Sequence, residues 1–148
     1  MNKVQNTNEI KLKDDKKRFE LQKFFRAYTQ ARKIKSLFFR YPFLTTNIIQ
    51  ILQCLEKESY IAGYHMNREK QSVTVFLNYE MSKNEPLRQK IVFFSIRGQK
   101  RVATVEMLRL FHYQYPYSLV ILSTSTGLMT SKECLAKNCG GEFVVSIT

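Results

Sequence analysis

The most constraining feature of the chain is a run of about thirty residues that begins at Leu119. An apolar stretch is followed by the turn Ser123–Gly127, a short helix-forming segment and a Gly-Gly-Glu sequence that leads into a second apolar stretch. This alternation predicts a strand, a tight turn, a short helix and a second strand. Within this turn, Ser123, Thr124 and Ser125 hold three hydroxyl groups and their backbone amides close together. In a protein of net charge +12, such an array is suited to binding a structured polyanion.

The ends of the short helix carry recognisable signals. Thr130 and Glu133 have the spacing of a capping box, in which the threonine hydroxyl and the glutamate each accept from a backbone amide. Gly140 and Gly141 then predict a stop that uses a positive φ angle. Together these signals predict a rigid support for the preceding turn. The alternative is an ordinary turn that its own hydroxyl groups stabilise.

Charge is unevenly distributed along the chain. The 24 Lys and Arg residues outnumber the 12 Asp and Glu residues, and residues 1–40 carry +8 of the net charge of +12. This excess indicates nucleic acid or an anionic membrane as partner, the alternative being simple solubility. No apolar run reaches the length of a membrane span. Residues 1–17 lack the apolar centre of a secretory signal, and Asp14 and Asp15 are atypical of a transit peptide, so we expect a polar extension.

The segment before the turn predicts helices and then strands. Apolar residues recur at helical spacing over 21–31, and a second helix should begin near Thr45–Asn47 and end near Ser59. The strands are expected at 60–66, 72–79 and 91–96. We therefore predict an α+β fold, with two N-terminal helices on a small three-stranded sheet and a mostly antiparallel C-terminal β half with a short helix. The weak pattern at 80–86 predicts two domains, 18–82 and 83–148.

Catalytic signals are sparse. The chain has no Gly-rich phosphate loop, no GxSxG and no HExxH sequence, and its two histidines lie far apart in apolar contexts. The three cysteines form no CxxC pair and have no nearby histidine, so neither a disulfide framework nor a metal site is indicated. We predict no enzymatic activity, metal, cofactor or small-molecule substrate. A thiol-dependent enzyme that uses Cys134 or Cys139 is the competing hypothesis from another class.

The succession of segments in this region resembles the C-terminal RNA-binding core of the small-subunit ribosomal protein S8 family. The segments are Val120–Thr130, the short helix and Gly140–Glu142. A weaker similarity covers the upstream helices, so the resemblance spans residues 18–148. It implies that Ser123, Thr124 and Ser125 contact ribosomal RNA. The residues implied in the same surface are Thr126, Gly127, Thr130, Gly140, Gly141 and Glu142. The basic residues expected to contact phosphates are Lys23, Arg26, Arg32, Lys33, Lys35, Arg40, Arg97, Lys100 and Arg101.

This chain departs from the family pattern at two places. Thr126 stands where the family has a basic residue, and the basic hairpin over 96–102 lacks the family's proline. Such divergence, together with a residue usage typical of AT-rich genes, suits an organellar ribosome. The resemblance implies a structural constituent of the small subunit that binds ribosomal RNA, contacts neighbouring ribosomal proteins and supports assembly and translation. The expected location is the mitochondrial matrix, otherwise a plastid or a bacterial-type cytoplasm. The alternative is a free RNA-binding translational regulator that uses the same surface.

Overall fold

Two helices and a three-stranded sheet form the first half of the molecule. The computed structural model describes residues 2–79, 90–93 and 101–147, and the side chains discussed below lie within 16–79, 90–92 and 101–147. Helix α1 covers Asn2–Lys33 and α2 covers Thr46–Lys57. The strands are β1 (Phe38–Tyr41), β2 (Ile61–Asn67) and β3 (Ser72–Leu77), which pair antiparallel in the order β1-β3-β2.

Helix α1 packs through the apolar stripe that the sequence predicts. Leu21, Phe24, Phe25 and Tyr28 are all buried. The same helix begins at Asn2 and therefore includes residues of the segment that was predicted as a polar extension. Residues 2–17 are therefore a helical continuation of α1 rather than a separate irregular segment.

The first sheet has three strands, as predicted, but the prediction that residues 91–96 supply the third strand is wrong. That place belongs to β1, whose Phe39 and Tyr41 face the ring of Phe24 at centroid distances of 5.9 and 5.4 Å. Strand β4 (Ile91–Phe93) pairs instead with a strand of the second half. Residues 94–96 of the predicted strand lie outside the described residues.

Helix α2 begins and ends as predicted. The Thr45 side chain caps its first turn by accepting a hydrogen bond from the Ile48 amide at 3.4 Å. Ile48, Ile51 and Leu52 are fully buried against the first sheet and α1. This packing orients α2, whose opposite side contacts the second half of the molecule.

The second half is built around its last strand. Its further elements are β5 (Val102–Ala103), α3 (Val105–Gln114), β6 (Leu119–Thr124), β7 (Gly127–Thr130), α4 (Ser131–Ala136) and β8 (Gly141–Ile147). The strands pair antiparallel in the order β4-β8-β6-β7, and β5 also pairs with β8. The mostly antiparallel half and the short helix that the sequence predicts are therefore confirmed.

Both faces of β6 are buried, and one of them joins the two halves. Leu119 and Ile121 belong to the same hydrophobic core as the helices and sheet of the first half. Val120 and Leu122 point the other way and pack with Leu108 of α3 and other buried residues of the second half. The predicted domains 18–82 and 83–148 thus share one core, while the boundary proposed between them falls outside the described residues.

The tyrosines near Pro116 do not belong to that core. Tyr113 and Tyr117 are among the most exposed aromatic side chains of the described chain, at 88% and 94% of their full accessibility. Of the two possibilities that their spacing allows, packing or an exposed aromatic surface, Tyr113 and Tyr117 have the second, whereas the ring of Tyr115 packs on Phe111 of α3 at a centroid distance of 5.1 Å.

Candidate nucleic-acid interface

Strands β6 and β7 form a hairpin whose tip carries the hydroxyl-rich turn. We call residues Ser123–Gly127 the hairpin tip. Its connection is the two-residue turn Ser125–Thr126, since Thr124 pairs directly with Gly127. The Thr124 hydroxyl donates to the Gly127 carbonyl at 2.9 Å and accepts from the Thr126 amide at 3.3 Å. The tip is therefore cross-braced by its own side chain, which agrees with the rigidity expected from the sequence.

The hydroxyl groups of the hairpin tip divide into two kinds. The single proton of Thr124 is used within the turn, so this residue braces the tip and has no proton left to donate outward. Ser123, Ser125 and Thr126 are exposed. No described residue forms a hydrogen bond with the side chains of Ser123 or Ser125, so both can bond to a ligand. The Thr126 hydroxyl lies 3.1 Å from the Thr124 hydroxyl and donates to it, because the Thr124 proton goes to Gly127. The remaining donors of the hairpin tip are therefore the two serines rather than the full Ser-Thr-Ser set.

Close packing explains why glycine occupies position 127. Its φ angle of 119° lies in the region that L side chains rarely adopt, and a Cβ there would approach the Gln50 amide nitrogen to 2.8 Å. Gln50 also accepts a hydrogen bond from the Leu128 amide at 3.1 Å. Helix α2 therefore holds the hairpin through Gln50, whose contact with the hairpin no pattern in the sequence indicates.

The predicted role of Gly140 and Gly141 as a positive-φ stop is wrong. Helix α4 ends at Ala136, and the residue with positive φ that follows it is Asn138, at 52°. The Cys139 amide then donates back to the Cys134 carbonyl at 3.0 Å. The two glycines are needed for close approach instead. A Cβ at Gly141 would lie 2.8 Å from the Ser123 carbonyl oxygen, so the backbone of β8 lies directly against the hairpin tip.

Helix α4 is capped at its start by one half of the predicted capping box. The Thr130 hydroxyl accepts from the Glu133 amide at 3.3 Å, as expected. The Glu133 carboxylate, however, accepts from the Lys57 ammonium at 2.7 Å and so links α4 to α2 rather than returning to the cap. Ser131 also contacts His112 of α3 at 2.8 Å, and burial lowers the pKa of that histidine. Thr130 therefore supports the hairpin structurally.

A cleft of about 270 Å³ opens beside the hairpin tip. Helix α1 and the hairpin tip form facing parts of its lining, while α2 and β8 complete it. Arg18 of α1 and Glu142 of β8 form an ion pair in this lining, with 2.8 Å between Nη2 and Oε1. The main lining residues are Lys17, Arg18, Gln50, Ser123, Ser125 and Glu142.

Most basic residues assigned from the sequence are exposed. Those that the structure places at the surface are Lys23, Arg26, Lys33, Lys35, Arg40 and Arg101. Lys23 lies 4.6 Å from the centroid of the Phe19 ring. None of the six lines the cleft, so their positive charge lies outside it. Arg97 and Lys100 lie outside the described residues.

Arg32, which was also assigned to phosphate binding, differs from these exposed cations in its position. Its side chain is buried, donates to the Tyr28 hydroxyl at 3.0 Å and lies over the rings of Tyr28 and Tyr79. The reason is helical periodicity: position 32 follows Tyr28 by four residues and therefore continues the buried face of α1. Arg32 therefore packs in the interior and is not part of the exposed basic surface.

Cys54 and Cys134 do not have the properties of catalytic thiols. Burial raises the pKa of Cys134 to about 12 and that of Cys54 to about 11, whereas a nucleophilic cysteine needs a lowered pKa. The thiol-dependent enzyme hypothesis therefore has no support at Cys134. Across residues 2–79, 90–93 and 101–147, no group of three potential metal ligands is found, and no helix has the length and apolar character needed to cross a membrane.

These features define a class of α+β protein whose two halves share a hydrophobic core. In this class a polar hairpin tip and a basic helix line the same cleft. The family model described as ribosomal protein S8 matches residues 23–148. The chain therefore belongs to the ribosomal protein S8 family, and this membership places it among the proteins of the small ribosomal subunit.

Individual relatives agree with the family match. The small ribosomal subunit protein uS8 of Borreliella afzelii is 33% identical over 100 residues, which cover 66% of this chain and 73% of the relative. The uS8 protein of Kosmotoga olearia is 34% identical over 98 residues, covering 64% and 72%. The small ribosomal subunit protein uS8m of Acanthamoeba castellanii is 30% identical over 99 residues, covering 67% and 76%.

Proposed function

We propose that the chain binds small-subunit ribosomal RNA through the hairpin tip and thereby supports subunit assembly and translation. The observation that carries this proposal is the pair of exposed hydroxyl groups on Ser123 and Ser125, which have no hydrogen-bond partner among the described residues. They stand on a turn that Thr124, Gln50 and the backbone of β8 hold in place. Because these donors are already held in place, binding costs less conformational entropy than it would for a flexible loop.

The chemistry of the hairpin tip suits folded RNA. RNA helices and junctions are recognised through phosphate oxygens, 2′-hydroxyl groups and irregular bases, all of which hydroxyl groups can bond to as donors or acceptors. The exposed cations of α1 and of the segment that follows it would add attraction that depends little on sequence and strongly on salt. In this proposal the hairpin tip supplies specificity, and the basic surface supplies a large share of the affinity.

The test is the double substitution Ser123→Ala and Ser125→Ala, which leaves the bracing residue Thr124 in place. We expect at least about tenfold weaker binding to small-subunit ribosomal RNA, because hydrogen bonds to charged groups are worth about 1.5–3 kcal/mol each. The slope of affinity against salt concentration should stay the same, since no cation is removed. Binding is measured by filter retention across a salt series.

The matched control is Ser72→Ala, on a strand of the first sheet that does not line the cleft. It should bind as the unmodified chain does. A transcript of the same length and shuffled sequence reports the non-specific component. Unchanged affinity of the double variant for ribosomal RNA would show that the hairpin tip is not the recognition surface.

We also propose that the ribosome concerned is mitochondrial, which the uS8m relative and the AT-rich residue usage support. The expected result is that the chain, detected by antibody in fractionated cells, co-sediments with mitochondrial small subunits in high salt. A free translational regulator that used the same surface would instead leave the subunits as salt rises. Co-sedimentation with plastid or cytoplasmic subunits would contradict the location while leaving the ribosomal role intact.

A further inference from the structure

The cationic side chains that line the cleft beside the hairpin tip come from a part of α1 that precedes the residues matched by the family model. Among the described residues that line the cleft, the cationic ones are Lys17 and Arg18, whereas the match to ribosomal protein S8 begins at residue 23. The hairpin tip itself contains only Ser, Thr and Gly. If RNA occupies this cleft, as the proposed function requires, its phosphates would find a cation on α1 rather than on the hairpin.

Arg18 already has a partner on β8. Its guanidinium pairs with Glu142 at 2.8 Å, and Glu142 lies directly opposite Ser123 in the pairing of β6 with β8. This ion pair has two effects. It holds α1 next to the hairpin tip, and it neutralises a carboxylate that would otherwise repel an approaching phosphate. Arg18 therefore acts as a positioning residue.

Lys17 is the neighbouring cation in the lining of the cleft. Its side chain is exposed, and none of the side chains described in the structure accepts a hydrogen bond from its ammonium group. It lines the same cleft as Ser123 and Ser125. A flexible ammonium group of this kind is a common ligand for phosphate, because it can adjust its position around the oxygens.

We propose that Lys17 binds an RNA phosphate beside the hairpin tip, and that the Arg18–Glu142 ion pair positions it there. The RNA-binding surface of this chain thus includes a helical segment that precedes the residues matched by the family model. This inference rests on the proposed function, and it adds a specific phosphate contact to the hydroxyl contacts of Ser123 and Ser125.

The test compares Lys17→Gln with Lys16→Gln in the full-length chain. Both substitutions remove one positive charge from the same exposed stretch of α1, but Lys16 does not line the cleft. For Lys17→Gln we expect roughly threefold to tenfold weaker binding to small-subunit ribosomal RNA, and a salt slope reduced by about one. For Lys16→Gln we expect a smaller loss of affinity and a smaller change in slope. Equal effects of the two substitutions would overturn the proposal.

A second comparison tests the positioning role. Arg18→Gln should weaken RNA binding, because it releases α1 and leaves the Glu142 carboxylate unpaired beside the phosphate site. Glu142→Gln in the Arg18→Gln background should restore part of that loss, since it removes the repulsion. No recovery in the double variant would refute the neutralising role of Arg18.

The two proposals fail in different ways. If Ser123→Ala with Ser125→Ala weakens binding while Lys17→Gln matches Lys16→Gln, the hairpin tip binds RNA without Lys17. If the chain does not distinguish ribosomal RNA from a shuffled transcript, the proposed function itself fails. Circular dichroism melting of every variant checks that the fold is retained.

Discussion

Replacing Ile121 with alanine is expected to lower the free energy of unfolding by about 2–5 kcal/mol. Ile121 is fully buried on β6 and belongs to the core that joins the first half of the chain to the second. The substitution leaves a cavity where both halves meet. Because the halves share this core, we expect them to lose stability together in one cooperative transition.

The measurement is urea denaturation followed by circular dichroism, together with hydrogen exchange at backbone amides of α2 and β8. The control is Ile121→Val, which removes one methylene group and should cost about 0.5–1.5 kcal/mol. If the amides of α2 kept their original protection in the alanine variant while those of β8 lost it, the halves would be independent units.

The second large effect is expected for Gly140→Ala, which should destabilise the protein by about 3 kcal/mol, the upper part of the range for overpacked sites. An added Cβ would lie 2.4 Å from the Ala103 carbonyl oxygen, and this is backbone that cannot swing aside as a side chain can. The cost is steric, because Gly140 is not among the residues with positive φ. The shift in the denaturation midpoint measures it.

Gly63→Ala is the matched control, since a Cβ there would meet no atom within 4 Å. This variant should be as stable as the unmodified chain or slightly more so, because alanine restricts the unfolded state more than glycine does. An unaltered midpoint for Gly140→Ala would mean that β5 does not pack against Gly140.

The elements that could be predicted from the sequence are those with a long apolar repeat or a clear cap. Helix α2 has both, with Thr45 at its start and buried residues at helical spacing. Strand β1 has neither, since its four residues are too short to display a convincing alternation. Its place in the sheet is decided by tertiary contact, as Phe39 and Tyr41 pack on Phe24.

Within the candidate site, residue types were easier to predict than their roles. The Ser-Thr-Ser-Thr-Gly sequence indicates a hydroxyl-bearing turn, and the structure has one. Which hydroxyl faces outward depends on hydrogen bonds inside the turn, and these assign Thr124 to the interior of the tip. The contribution of Arg18 depends on a contact with Glu142 across 124 positions of the chain, which no local pattern can reveal.

The wide separation of the residues around the cleft bears on the order in which the protein folds as it is synthesised. Lys17 and Arg18 leave the translating ribosome more than 120 residues before Glu142 and Val144 of the same cleft. Strand β8 is also the partner of β4, β5 and β6. A nascent chain that stops before β8 therefore carries an unfinished sheet with unpaired edges, which favours aggregation. Binding competence should accordingly arise only after this strand has been released, so partially synthesised chains would not compete for the RNA.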